Sequence, residues 1–204
     1  MKLYFVTGAC SLSPHIVLQE LGVPYELARV DFKTKRTSDG QDFLAVNPKG
    51  AVAALQLDDG EVVTEGPAII QYLADLKPEA KLAPANGTLA RVRLQEWLNF
   101  ISSELHAGVG PLFNPAVPEA AKEIAKAKLF KKLDVVEKTL AKQDYLLGEF
   151  SVADAFLFTI LSWMPHFSID LAGWPSTAAF VERIGARPSV AAARAAEDKI
   201  PKFE

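Results

Sequence analysis

SVADAFLFTILSWM, residues 151–164, is apolar almost from end to end, and no other stretch constrains the fold so tightly. A helix that is apolar on every side must be buried on every side, so this run belongs at the centre of a helical body. It is too short to cross a bilayer, which takes about 20 apolar residues. Ser151 and Asp154 open it as a capping-box-like pair, with Asp in place of the usual Glu or Gln, and their role reads as structural. Its surroundings are helical too. Leu94, Leu98, Ile101 and Leu105 make one stripe, and Leu129, Leu133, Val136 and Leu140 another. Between the stripes, Gly108 to Pro118 holds three prolines and two glycines and reads as a break between helices.

Before the connector KPEAKLAPANG (77–87) the pattern is different. LYFV (3–6) predicts a buried strand, and SPHIVLQELG (13–22) a helix with Ser13 as N-cap, Pro14 at its first position and Gly22 as its stop. YELARVDF (25–32) alternates as a second strand, and DFLAVN supplies one or two helical turns. AALQL (53–57) and EVVT (61–64) flank Asp58-Asp59-Gly60, a hairpin signal. Ile69, Tyr72, Leu73 and Leu76 then mark one helical face. The order βαβ, short helix, ββα predicts an α/β unit with parallel and antiparallel pairings. Two domains follow, an α/β domain over residues 1–80 and an all-helical one over 87–204. The alanine-rich SVAAARAAE (189–197) is expected to pack peripherally.

Composition removes several classes of function. Lys and Arg number 22 against 25 Asp and Glu, a net charge of −3, with no long run of one sign. That leaves no nucleic-acid footprint and no polybasic membrane patch. One cysteine cannot close an internal disulfide, which excludes a secreted staple framework. MKLYFVTGAC has no basic segment followed by a long apolar one, so a reducing cytoplasm is the expected compartment. His15 and His166 lack Cys or acidic neighbours at ligand spacing, so no metal site is expected. His15 reads as a structural residue of the first helix.

The sole cysteine, Cys10, follows the first strand and precedes the first helix. A helix N-terminus favours an anion and tends to lower a thiol pKa, which suits a reactive thiolate. A small buried hydrophobe is the other reading of such a residue. Asn99, Ser103 and His106 form a polar stripe opposite the leucine face, either a solvent face or a set of donors if the α/β domain packs over it. Thr64-Glu65-Gly66-Pro67 is either a helix cap or a place where a ligand carboxylate meets amides and its ammonium meets Glu65.

Taken together, these positions resemble the cytosolic glutathione S-transferases, specifically the bacterial beta class, over essentially the whole chain. GACSLSPHIVL (8–18), NPKGAV (47–52), LQLDDG (55–60), TEGPAIIQYLAD (64–75), QEWLNFISSELH (95–106) and SVADAFLF (151–158) carry the resemblance. It implies a thioredoxin-like first domain that binds glutathione as co-substrate, a helical second domain and a homodimer. Cys10 would face the glutathione sulfur with His106 beside it. Lys35 and the Val52 backbone would hold the glycyl end and the cysteinyl backbone. Glu65 and Gly66 would receive the γ-glutamyl group, and Asn99, Ser103 and Glu104 would add contacts from the second domain. A small hydrophobic electrophile would enter an apolar cleft lined by the Gly108–Phe113 segment with Trp163, Met164 and Phe167.

One position departs from the family pattern: after NPKGAV the family has a proline with a cis bond, and here stands Ala53. A cis bond before a non-proline residue costs about 2.5–4 kcal/mol, against about 0.5–1 before proline. The sequence therefore favours a relaxed loop, and Ala53→Pro is expected to raise thermal stability or glutathione affinity. Three functions stay open at this point. The chain is a transferase conjugating glutathione to hydrophobic electrophiles; or it is a thiol transferase, peroxidase or dehalogenase working through a Cys10 mixed disulfide; or it is a non-enzymatic binding protein weakened at Ala53.

Overall fold

Two β-strands start the chain's first unit, β1 (Lys2–Phe5) and β2 (Glu26–Arg29), paired in parallel and joined by helix α1 (Leu12–Leu21). The structure is a computed structural model that describes residues 1–201 and Phe203. β3 (Ala54–Gln56) and β4 (Val62–Thr64) form the antiparallel hairpin expected around Gly60, and β3 pairs antiparallel with β1. The sheet order is β2-β1-β3-β4, the mixed thioredoxin-like arrangement. Side chains alternate across a strand. Tyr4 therefore joins Ala28, Val30, Phe43 and Ala54 on one face, under the short helix α2 (Phe43–Val46). Phe5 points to the other face, where its ring lies 6.5 Å from that of His15 on α1. Helix α3 (Gly66–Leu76) packs against α1 and the hairpin.

Three local details differ from expectation. α1 begins at Leu12, so Ser13 lies within its first turn and donates to the Cys10 carbonyl at 3.0 Å instead of capping. α3 buries Ile69, Ile70, Leu73 and Ala74, while Leu76 is half exposed. A helix lodged between a sheet and another helix covers a strip turned away from the simple heptad line, and Leu76 closes its last turn. The Val52–Ala53 peptide bond is cis, where a relaxed bond was expected. Both sides of it are anchored: the Ala51 carbonyl accepts Asn47 Nδ2 at 2.7 Å, the Val52 carbonyl accepts the Cys10 thiol at 3.1 Å, and Ala54 is held in the sheet opposite Tyr4 and Thr64.

The chain divides into two compact units, Met1–Leu82 together with the segment from Ala186 onward, and Ala83–Gly185. The last helix, which the sequence division puts with the helical half, thus belongs to the first unit. That helix, α9 (Pro188–Lys199), packs on α1 and buries Ser189, Val190, Ala193 and Glu197. Its position is not peripheral, because Val190 and Ala193 pack inward while Glu197 finds partners inside.

The second unit is helical throughout its regular elements. α4 (Leu89–Phe100) is capped by Thr88, whose hydroxyl accepts the Arg91 amide at 3.1 Å. A π-helical turn (Ile101–His106) leads directly into α5 (Ala107–Phe113), followed by α6 (Glu119–Leu140), α7 (Val152–Leu161) and α8 (Pro175–Gly185). Every residue of α7 is buried, and so is every leucine-stripe residue of α4, the π turn and α6. The break after Gly108 is not where the sequence put it; Gly108, Gly110 and Pro111 lie inside α5 and the helix stops at Asn114. Pro111 would clash with the carbonyl four residues back. That carbonyl is Ala107's, at the junction where the π turn has already shifted the helical register.

The capping box at α7 forms as expected, with Asp154 accepting the Ser151 amide at 2.8 Å, the Ser151 hydroxyl at 2.9 Å and the Leu146 amide at 2.8 Å. Burial nonetheless pushes the Asp154 carboxyl up to about 6. No described helix is long and apolar enough to cross a membrane.

Candidate active site

The turn that carries Cys10 is built by Val6 to Ala9. The Ala9 amide donates to the Val6 carbonyl at 3.0 Å, and Gly8 takes φ +69°, a left-handed conformation that a side chain would oppose. Ser11 closes the turn from below: its hydroxyl lies 3.2 Å from both the amide and the carbonyl of Val6. Cys10 is thereby set half-buried at the entry to α1, where its thiol donates to the Val52 carbonyl at 3.1 Å.

Burial pushes that thiol up to about 11, against the opposing pull of the Cys10, Ser11 and Ala53 amides, and the charge of Glu65 adds to the rise. The sequence expectation of a lowered pKa is therefore reversed. Helix-end amides favour a thiolate, but the loss of water around the sulfur outweighs them. Cys10 is a neutral hydrogen-bond donor at neutral pH and not a standing nucleophile.

Lys35, itself at φ +56°, reaches across to the Gly50 carbonyl at 2.8 Å, with its ammonium 4.2 Å from the centre of the Phe32 ring. Val52 sits two residues further on, its carbonyl facing Cys10. Glu65 adopts φ +70° just before α3 and is exposed, as is Lys49, whose ammonium lies 2.7 Å from its carboxylate and 2.9 Å from the Thr64 hydroxyl. Gly66 is the first residue of α3, so its amide has no intrahelical acceptor, and Pro67 next to it has no amide at all. The first unit thus presents the Cys10 thiol, the ammonium groups of Lys35 and Lys49, the Glu65 carboxylate and the Gly66 amide at the start of α3.

In the second unit the four remaining residues separate into three environments. Asn99 and Ser103 are exposed, the Ser103 hydroxyl donating to the Asn99 carbonyl at 2.9 Å. Glu104 forms a 2.8 Å ion pair with Lys132 on α6 in a groove of about 600 Å³ that Phe100, Ser103, Leu129 and Lys131 also line. His106 leans into aromatic company. Its ring meets Phe156 edge-on at 6.1 Å and Trp163 at 5.3 Å, and burial lowers its pKa, so the imidazole is neutral at pH 7. Phe113 continues the cluster with Trp163 at 5.5 Å and Phe167 at 4.6 Å. Of the residues expected to line an apolar cleft, Phe113 is exposed and Phe167 partly so, whereas Trp163 and Met164 are core.

Lys49 and Ser11 were not singled out from the sequence, although both lie inside motifs that were. Nothing in the local pattern marks Lys49, since its partner is on the far side of the hairpin. Glu197 gave no signal either: it is the last residue of a run of alanines and finds its partners more than 160 positions earlier.

Two family models match this chain: "Glutathione S-transferase, N-terminal domain" over residues 7–76 and "Glutathione S-transferase, C-terminal domain" over residues 100–188. Glutathione S-transferase GstA of Escherichia coli O157:H7 is 46% identical over 198 residues, which span 97% of this chain and 98% of the relative. The solved ternary complex of BphK, a bacterial GST, is similar at TM-score 0.96 and 53% identity over 97% of this chain and 100% of its own. A bacterial beta-class glutathione S-transferase of Sphingomonas chungbukensis is 46% identical with TM-score 0.93, over 97% of this chain and 98% of its own. A sphingomonad glutathione S-transferase complexed with glutathione is 46% identical with TM-score 0.94, over 98% of this chain and 100% of its own.

Proposed function

We propose that this chain, which belongs to the bacterial beta-class glutathione S-transferases, conjugates the glutathione thiolate to small hydrophobic electrophiles while its own Cys10 stays a thiol. Glutathione binds on the first unit. Lys35 holds the glycyl carboxylate, the Val52 backbone pairs with the cysteinyl part, and Glu65 with the Gly66 amide receives the γ-glutamyl ammonium and carboxylate. Asn99, Ser103 and Glu104 add polar contacts, and His106 stands near the sulfur as a neutral donor. The electrophile meets the aromatic cluster at Phe113 and Phe167.

The observation that carries this reading is the geometry of Cys10, whose thiol donates to the Val52 carbonyl at 3.1 Å. A transferase needs glutathione as a thiolate near neutral pH, although a free thiol has a pKa of about 8.5. A second thiolate beside it would repel the charge and raise that pKa. A neutral S–H that exchanges the Val52 carbonyl for the glutathione sulfur does the reverse, because it binds the anion better than the thiol. A mixed disulfide as the working intermediate would need Cys10 as a thiolate, which burial opposes.

The test is Cys10→Ala assayed with a chromogenic aryl halide. Loss of one hydrogen bond from a weak S–H donor, worth about 0.5–1.5 kcal/mol, predicts a fall in kcat/KM of about 2- to 13-fold. A loss of a thousandfold or more would make Cys10 a nucleophile and overturn the assignment.

A further inference from the structure

Glu197 is a carboxylate buried to 1% exposure on the last helix of the chain, and three segments of the first unit meet on it. Its Oε2 accepts the Gly8 amide at 3.2 Å, its Oε1 accepts from His15 Nδ1 at 3.0 Å, and its backbone carbonyl accepts Arg29 Nη2 at 2.6 Å. His15 Nε2 in turn lies 2.9 Å from the Tyr25 hydroxyl, which also takes the Gln19 amide. A carboxylate this deep is costly unless each oxygen is satisfied, and one of its two oxygens is spent on Gly8. Gly8 precedes Cys10 by two residues, inside the Val6–Ala9 turn that sets the depth of the thiol.

We propose that Glu197 is a positioning residue for Cys10: by holding the Gly8 amide it seats the turn at the depth where the thiol meets the Val52 carbonyl. The final helix then serves the glutathione site without touching glutathione. This consequence rests on Cys10 facing the glutathione sulfur, as proposed above; the effect on the thiol itself does not.

A second carboxylate separates positioning from mere fastening. Glu20 on α1 also ties α1 to the start of α9, accepting Arg187 Nε at 2.8 Å and Arg187 Nη2 at 3.0 Å together with the Ser189 hydroxyl. None of these bonds involves the Val6–Ala9 turn. Loosening α9 through Glu20 should therefore lower stability and leave Cys10 where it is.

The experiment alkylates the reduced full-length chain with iodoacetamide across a pH series and reads the single cysteine by mass, for wild type, Glu197→Gln, Glu197→Asp and Glu20→Gln. Gln has one acceptor oxygen for two donors and turns its NH2 toward the other. Asp keeps the charge but withdraws the oxygen from Gly8. Glu65, the charged group that acts on Cys10, is untouched in all of them. Glu197→Gln and Glu197→Asp are both expected to lower the alkylation midpoint by about one pH unit or more and to raise the rate at pH 8 several-fold, as the thiol regains water. Both should raise the glutathione KM more than they lower kcat. Glu20→Gln should leave the midpoint in place even where its Tm falls as far. An unchanged midpoint in both Glu197 variants, or an equal shift in Glu20→Gln, would overturn the proposal. Alkylation is read without glutathione, so its outcome is independent of whether the glutathione reading stands.

Discussion

Alkylating Cys10 in the unsubstituted protein turns the electrostatics of the site into a rate. With its pKa pushed up to about 11, the thiol at pH 8 is ionised in roughly one molecule in a thousand, whereas a free thiol of pKa about 8.5 is about one-quarter ionised. The thiolate population is thus about 200-fold smaller. Thiolates of higher pKa are intrinsically more nucleophilic, with a Brønsted slope of about 0.4–0.5, which returns roughly a factor of ten. Cys10 should therefore react with iodoacetamide about 20-fold more slowly than a cysteine in an unstructured peptide at pH 8, before any steric shielding. The pH profile is the sharper readout, because shielding scales the rate without moving the midpoint. The logarithm of the rate should climb with a slope near one from about pH 8 to 10 without levelling off. A plateau beginning at or below about pH 8.5 would mean that the helix-end amides prevail over burial, and the reasoning that makes Cys10 a donor would fail.

Asp154→Ala should destabilise the protein by about 2–4 kcal/mol in urea unfolding, because it strands the buried Leu146 and Ser151 amides; a loss below about 0.5 kcal/mol would contradict the capping account. The pH dependence has a definite sign. The folded Asp154 pKa, about 6, lies above the ordinary 3.8, so the folded state binds the proton more tightly and this residue's contribution weakens as pH rises from about 4 to 6. The gap between wild type and Asp154→Ala should accordingly narrow from pH 4 to pH 7, and a widening gap would refute it. Lys49→Met should cost under about 1 kcal/mol, since its pair with Glu65 is exposed, and should lower the glutathione KM by up to about fivefold by removing a competitor for that carboxylate. A raised KM would show instead that Lys49 itself holds the ligand.

What could be read from the sequence was whatever repeats locally. The leucine stripes of α4 and α6, the Asp58–Gly60 hairpin and the all-apolar α7 follow from period and turn chemistry, and each forms where expected. Helix ends were less legible. Pro111 breaks helices in general, but the π turn before it changes which carbonyl it meets.

The site divides along the same line. The candidate residues came from motif company, and the structure brings Cys10 and Val52 into contact. The sign of the Cys10 shift was misread because helix-end amides are visible in a sequence and burial of one sulfur is not. Glu197 escaped for a related reason, being turned toward Gly8 and His15 at the opposite end of the chain, and so did Lys132, the ion-pair partner of Glu104 on another helix.

The central claim is that the first unit binds glutathione through polar groups that do not include a Cys10 thiolate. Calorimetric titration of the reduced full-length protein with glutathione tests it most directly, with Cys10→Ala titrated alongside. One saturable site per chain is predicted, with Kd of about micromolar to low-millimolar strength, weakened by no more than about 13-fold in Cys10→Ala. The absence of saturable heat from the unsubstituted protein, or its complete loss in Cys10→Ala, would contradict the account.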